Sequence, residues 1–178
     1  VLVWYTDHAM YVGVRAYETH GAVRATLADR DRIGSDNNIY FLLDTFHDRR
    51  RAMVFGVNPL GVQSDGILDE SRSGDTDLSP DYLYQSKGRI TDFGYEIEVR
   101  IPFKTLRYPS ARVQDWGFNV LRRVQHSGQD QSWTAARRNE AHLTLDRARD
   151  RCGQRVRGGR PVVDVEDLCH LLRLRRAC

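Results

Sequence analysis

Hydrophobic and polar positions alternate most cleanly over residues 94–123. Tyr95, Ile97, Val99 and Ile101 are apolar, and Glu96, Glu98 and Arg100 between them are charged. That period of two gives a strand one buried and one solvated face. Pro102 cannot donate to a sheet ladder, so the strand is expected to stop there, run into a short turn or a single helical turn, and give way to a new strand over 116–124. Residues 1–6 and 10–18 read as a hairpin turning at Asp7 and His8, with Val12, Val14 and Ala16 alternating against Tyr11, Gly13, Arg15 and Tyr17. A short strand is expected at 23–27. Residues 39–44 and 52–58 are close to continuously apolar, as befits strands central to a sandwich. A Pro-Leu-Gly turn at 59–61 leads to a strand at 62–68, and a further strand at 82–91 returns through Asp92, Phe93 and Gly94. Residues 28–38 and 69–80 are polar loops. No amphipathic helix precedes residue 135; beyond it Val165, Leu168, Cys169, Leu171 and Leu172 fall at helical spacing. The expected fold is an all-β antiparallel sandwich with an irregular or weakly helical C-terminal tail.

Composition adds a boundary. The net charge of +3 is unevenly spread: residues 135–178 carry +5, leaving −2 for the rest. The folded part is therefore slightly acidic and has no basic stripe interleaved with aromatics, which argues against nucleic-acid binding. All three cysteines, Cys152, Cys169 and Cys178, lie in the same tail, at spacings that fit neither a metal site nor a disulfide framework. No apolar run approaches the roughly 20 residues of a spanning helix. Residues 1–5 read as strand from the first residue, with no initiating Met, basic segment or cleavage site, so the expectation is either that a signal and earlier strands lie upstream or that the sequence starts inside a domain.

Three stretches carry a resemblance: DTFHDRRRAMVFGVNPLGVQSDG at 44–66, LSPDYLYQSKGRITDFGYEIEVRIPFKTLRYP at 78–109 and QDWGFNVLRRVQHSGQDQSWTAARR at 114–138. Residues 1–140 resemble the carbohydrate-binding module family 9-like domains, in the version found at the N-terminus of large DUF5916-type bacterial envelope proteins. The resemblance implies an immunoglobulin-like or jelly-roll-like sandwich and a carbohydrate ligand. It also implies export to the periplasm or outer membrane, with a following outer-membrane β-barrel segment as a partner. Two departures accompany it. The family's first strand or strands would lie before Val1, so one sheet edge is expected to be unpaired here. Residues 141–178 stop resembling the family and are Arg-rich, while Lys87 and Lys104 are the only lysines in the chain. A GC-rich gene read out of frame yields such a tail, so a frameshifted or divergent end is expected; the other two reading frames of the coding DNA test this.

Sugar binding needs an aromatic face against pyranose CH groups, with amides, carboxylates or arginine on the hydroxyls. In the family the resemblance implies a two-tryptophan clamp with a carboxylate and an arginine. Trp133, with Asn119 and Arg122 on the strand before it, is the candidate late half of that clamp. Tyr40 stands where a glutamate is usual, and Asn58, whose plainer reading is turn support ahead of Pro59, completes the candidate set. Trp4 and Trp116 read as core. Tyr82 and Tyr84 share one side of their strand and read as packing against a neighbouring sheet. Asp31 and Asp36, in the acidic 28–38 loop, are candidate ligands for a structural calcium, although EF-hand spacing is absent. Glu96 and Glu98 share a face about 7 Å apart by strand geometry, but as members of a wet face with Arg100 they read as solvation rather than as an acid–base pair. No HExxH or GxSxG occurs, so the expectation is a non-catalytic carbohydrate-binding module. The competing expectation is a structural or interaction domain of an outer-membrane-associated protein that has lost the sugar site.

Overall fold

The computed structural model describes residues 1–71, 76–111 and 113–133, together with two strand segments near the C-terminus. The strands are β1 (Leu2–Tyr5), β2 (Ala9–Tyr17), β3 (Asn38–Asp44), β4 (Arg51–Val57), β5 (Gln63–Asp69), β6 (Thr76–Asp77), β7 (Gln85–Thr91), β8 (Gly94–Pro102), β9 (Val113–Val124), β10 (Gln129–Ser132), β11 (Val163–Asp164) and β12 (Leu171–Arg175). All pairings are antiparallel. One sheet runs β11-β1-β2-β8-β7 and the other β10-β9-β3-β4-β5-β6, with β12 on β9. The protein is a β-sandwich.

Alternation places the core. Met10, Val12, Val14 and Ala16 of β2 and Tyr95, Ile97, Val99 and Ile101 of β8 face Ile39, Phe41 and Leu43 of β3, Met53, Phe55 and Val57 of β4, and Trp116, Phe118 and Val120 of β9. Each fully buried large side chain contributes about 1.5–3 kcal/mol by leaving water. The turn after Pro102 is a 3-10 helix, Phe103–Thr105, as the proline stop predicts. Phe103 and Tyr108 then close around the buried Trp116, at centroid distances of 5.9 and 5.3 Å. Tyr82 and Tyr84 pack on Phe55, bridging to the second sheet as expected.

Several expectations need correction. Residues 23–27 form no strand, because side chains take the backbone groups that a ladder would use: Arg24 N–H donates to Asn37 Oδ1 and Thr26 N–H to Asp36 Oδ2. β7 begins only at Gln85, since Tyr82 N–H is held by Asp65 and Leu83 N–H by the Thr105 hydroxyl. The 69–80 loop contains β6, and β10 was not foreseen. Trp4 is not core. Val3 takes that side of β1, and Trp4 lies half-buried on the outer face, stacked on Tyr11 at 5.3 Å and 6°. The β1 edge expected to be open is paired with β11. Leu171 and Leu172 lie in β12 rather than on a helix; Val165, Leu168 and Cys169 are outside the described residues, as are Cys152 and Cys178.

Candidate functional site

The second sheet has an outer face that is not uniformly polar. Leu42, Ala52, Val54 and Leu68 form a small second apolar cluster there, with Tyr40 and Leu121 packed against it. Register explains the arrangement. Tyr40 on β3 lies between Leu121 on β9 and Gly56 on β4, and Gly56 lies beside Ser64 on β5. The Tyr40 side chain crosses β4 over Gly56, where a Cβ would overlap ring carbons Cδ1 and Cε1, and its hydroxyl bonds the Ser64 side chain. Burial pushes the Tyr40 hydroxyl above its ordinary pKa, with the Ser64 bond and the Arg123 charge opposing.

The neighbouring row is charged. Asn38 on β3 faces Arg123 on β9, which faces Asp130 on β10. Arg123 and Asp130 form a two-point pair, Nε to Oδ1 at 3.0 Å and Nη2 to Oδ2 at 3.3 Å. Both are exposed, so the pair is worth little as stabilisation, and its remaining donors and acceptors face solvent. Together the rows line a cleft of about 370 Å³, floored by Tyr40, Val54 and Leu121 and walled by Thr76 and Leu78 from β6 and the residues after it. An apolar and aromatic floor beside a guanidinium–carboxylate pair suits a ring with an apolar face and edge hydroxyls.

The residues proposed from sequence are only partly brought together. Tyr40 is on the floor of this cleft, and Arg122 lines it. The guanidinium of Arg122, however, bonds Glu18 and the Tyr17 carbonyl at 2.9 and 2.7 Å and lies over Tyr95. Trp133 packs edge-to-face on Phe118 at 5.9 Å, against the core side of the second sheet. Asn119 is buried and bonds the Ser132 hydroxyl. Asn58 is buried as a turn support: Oδ1 accepts from Leu60 and Val62 N–H, while Nδ2 donates to the Thr26 carbonyl and Asp36. The two candidate calcium ligands serve different partners. Asp36 accepts from Thr26 and Asn58, and Asp31 accepts from Asp65 N–H. Among the described residues no group of three or more His, Cys, Asp or Glu side chains is placed to hold a metal ion. Arg123, Asp130, Leu121 and Leu78 were not singled out from the sequence. The readable signal was the hairpin turn at 125–128, which sets Arg123 opposite Asp130.

The chain is similar in structure to a candidate carbohydrate-binding protein from Bacteroides uniformis, at 16% identity and a TM-score of 0.59, over 80% of this chain and 72% of that one. Two structures of a family 9 carbohydrate-binding module from Caldicellulosiruptor kristjanssonii, in complex with cellotriose and with glucose, also align. Both are 17% identical over 73% of this chain, with TM-scores of 0.48 and 0.45. The chain spans 60% and 61% of the length of those two modules. No protein-family model and no curated protein matches the chain. The Bacteroides protein shares its fold with this chain, and the β-sandwich that the sequence resemblance implied is the one observed.

Proposed function

We propose that this chain is a non-catalytic carbohydrate-binding module, and that it takes a poly- or oligosaccharide in the cleft on the outer face of the second sheet. The observation that carries the reading is the side-by-side placement of the Tyr40 floor and the Arg123–Asp130 pair. A sugar CH face rests on Tyr40, Leu121 and Val54, while vicinal hydroxyls bond the guanidinium and carboxylate at the rim. The description of the Bacteroides protein of the same fold supports the ligand class. In this reading the module belongs to an exported envelope protein, periplasmic or outer-membrane-associated, with a barrel segment as its neighbour.

Calorimetric titration with cello- and xylo-oligosaccharides tests the proposal. Binding is expected for at least one series, and Tyr40→Ala and Arg123→Ala are each expected to weaken it roughly tenfold, the loss of one good stacking or charge-assisted contact. Binding unchanged in both variants would move the site elsewhere. No binding to any member of a glycan array would favour the structural or interaction domain instead.

A further inference from the structure

A second cleft, of about 740 Å³, shares no lining residue with the first and opens beside the β1–β2 turn and the end of β8. Its walls include Leu83, Phe103 and Tyr108, and Leu83 stands 77% exposed there. Its polar groups are Gln85, Arg100 and Lys104, with His8 and the single carboxylate Asp7 on the turn.

Arg100 is the centre of this arrangement. The alternation of β8 puts it on the outer face of the first sheet, opposite Tyr11 on β2 and Gln85 on β7. Its Nε donates to the Tyr11 hydroxyl at 3.3 Å and its Nη1 to Gln85 Oε1 at 3.2 Å, with the guanidinium carbon 5.9 Å from the Tyr11 ring centre. Tyr11 is in turn braced by the stacked Trp4. The guanidinium is therefore held in place by neutral groups. Arg15, Arg30, Arg51, Arg89, Arg122 and Arg123 each pair with a carboxylate, whereas among the described residues neither Arg100 nor Lys104 does. An arginine held by neutral groups and a lysine, neither in an ion pair among the described residues, beside an exposed apolar wall suit a carboxylate attached to a ring.

We propose that this cleft binds a carboxylate-bearing saccharide, of the uronate class, as a second site; the saccharide class rests on the reading above, and the charge preference comes from this cleft alone. The carboxylate lies between Arg100 and Lys104, a sugar face rests on Leu83 and Phe103, and Gln85 Nε2 donates to a hydroxyl. The test titrates the whole chain with tetragalacturonate, cellotetraose and poly-glutamate. Tetragalacturonate is expected to bind and to weaken steeply with added salt. The double variant Arg100→Gln, Lys104→Gln should lose at least about tenfold in affinity for it, with an unchanged denaturation midpoint and unchanged cellotetraose binding. Tyr40→Ala should leave tetragalacturonate binding intact. Absence of binding to both cello- and xylo-oligosaccharides, with tetragalacturonate still bound, would defeat the first site and leave this one standing. Absence of tetragalacturonate binding, indifference to the double variant, or equal affinity for poly-glutamate would each overturn the second.

Discussion

At the scale of single residues, the first cleft depends on an absent side chain. Gly56 is the position over which the Tyr40 ring lies, and after two ring carbons the next nearest atom to an added Cβ there is the Ser64 carbonyl oxygen, at 3.1 Å. Gly56→Ala therefore forces the ring off the sheet and breaks its hydroxyl bond to Ser64, since packed side chains have no slack to absorb a methyl. The expected outcome is a destabilisation of about 1–3 kcal/mol by denaturant titration, accompanied by weakened oligosaccharide binding. A variant that keeps full stability would show that Tyr40 does not lie where described. Gly88 is a contrasting case. There the added Cβ would meet the backbone of Pro59 and Gly61, so a substitution strains the turn rather than a ring.

At the scale of elements, the segment at 23–27, the start of β3 and the β4–β5 turn are joined through side chains rather than a ladder. Asp36, wholly buried, accepts from Thr26 N–H, the Thr26 hydroxyl and Asn58 Nδ2, and Asn58 also holds the turn through Leu60 and Val62. Asn58→Ala removes the side-chain partners of the Thr26 carbonyl and of two turn N–H groups, and takes one of the donors from the buried Asp36 carboxylate. Stability is expected to fall by about 2–5 kcal/mol, measured as a shift in denaturation midpoint; a loss below about 0.5 kcal/mol, the level of an ordinary surface change, would refute this account. The same elements show what a sequence reveals. Alternation along β2 and β8 and the apolar runs of β3 and β4 were readable because hydrophobic period reports burial directly. Residues 23–27 carry the composition of a strand but are tied by Asp36 and Asn37, and the period does not register which partner a backbone group finds. The cleft was harder still. Tyr40 is recognisable as an odd aromatic, but its pairing with Gly56 and Ser64 depends on register across three strands, and Trp133, just past the end of β10, has the composition of a ligand platform but packs on Phe118.

At the scale of the whole molecule, the two outermost edges near the chain ends are covered late in the sequence: β11 pairs β1 and β12 pairs β9. Those late strands become edges in turn, and the packing that holds the two sheets together lies in the interior. Four tyrosines, Tyr82, Tyr84 and Tyr95 at the core and Tyr40 on the outer face of the second sheet, have hydroxyls pushed above the ordinary value, first by burial. Tyr84 is the strongest case. Its hydroxyl lies between the Gly56 and Ser64 carbonyls at 2.9 and 3.1 Å and shares its one proton between them, and the Asp65 charge further disfavours its phenolate. The direction of the linkage follows. A raised folded-state value means that the native state keeps protons which the unfolded chain releases above about pH 10. The stabilisation is complete below that pH and is lost as pH rises through the folded-state values, by at most about 1.4 kcal/mol per pH unit for Tyr84. Denaturation midpoints measured from neutral to strongly alkaline pH should therefore stay level and then decline from about pH 10, with part of the phenolate absorbance appearing only as the fold is lost. Tyr84→Phe should lower stability at neutral pH, by removing the buried hydroxyl bond shared by the Gly56 and Ser64 carbonyls, and should flatten that alkaline decline. A decline that is as steep in Tyr84→Phe as in the parent would place the controlling group elsewhere.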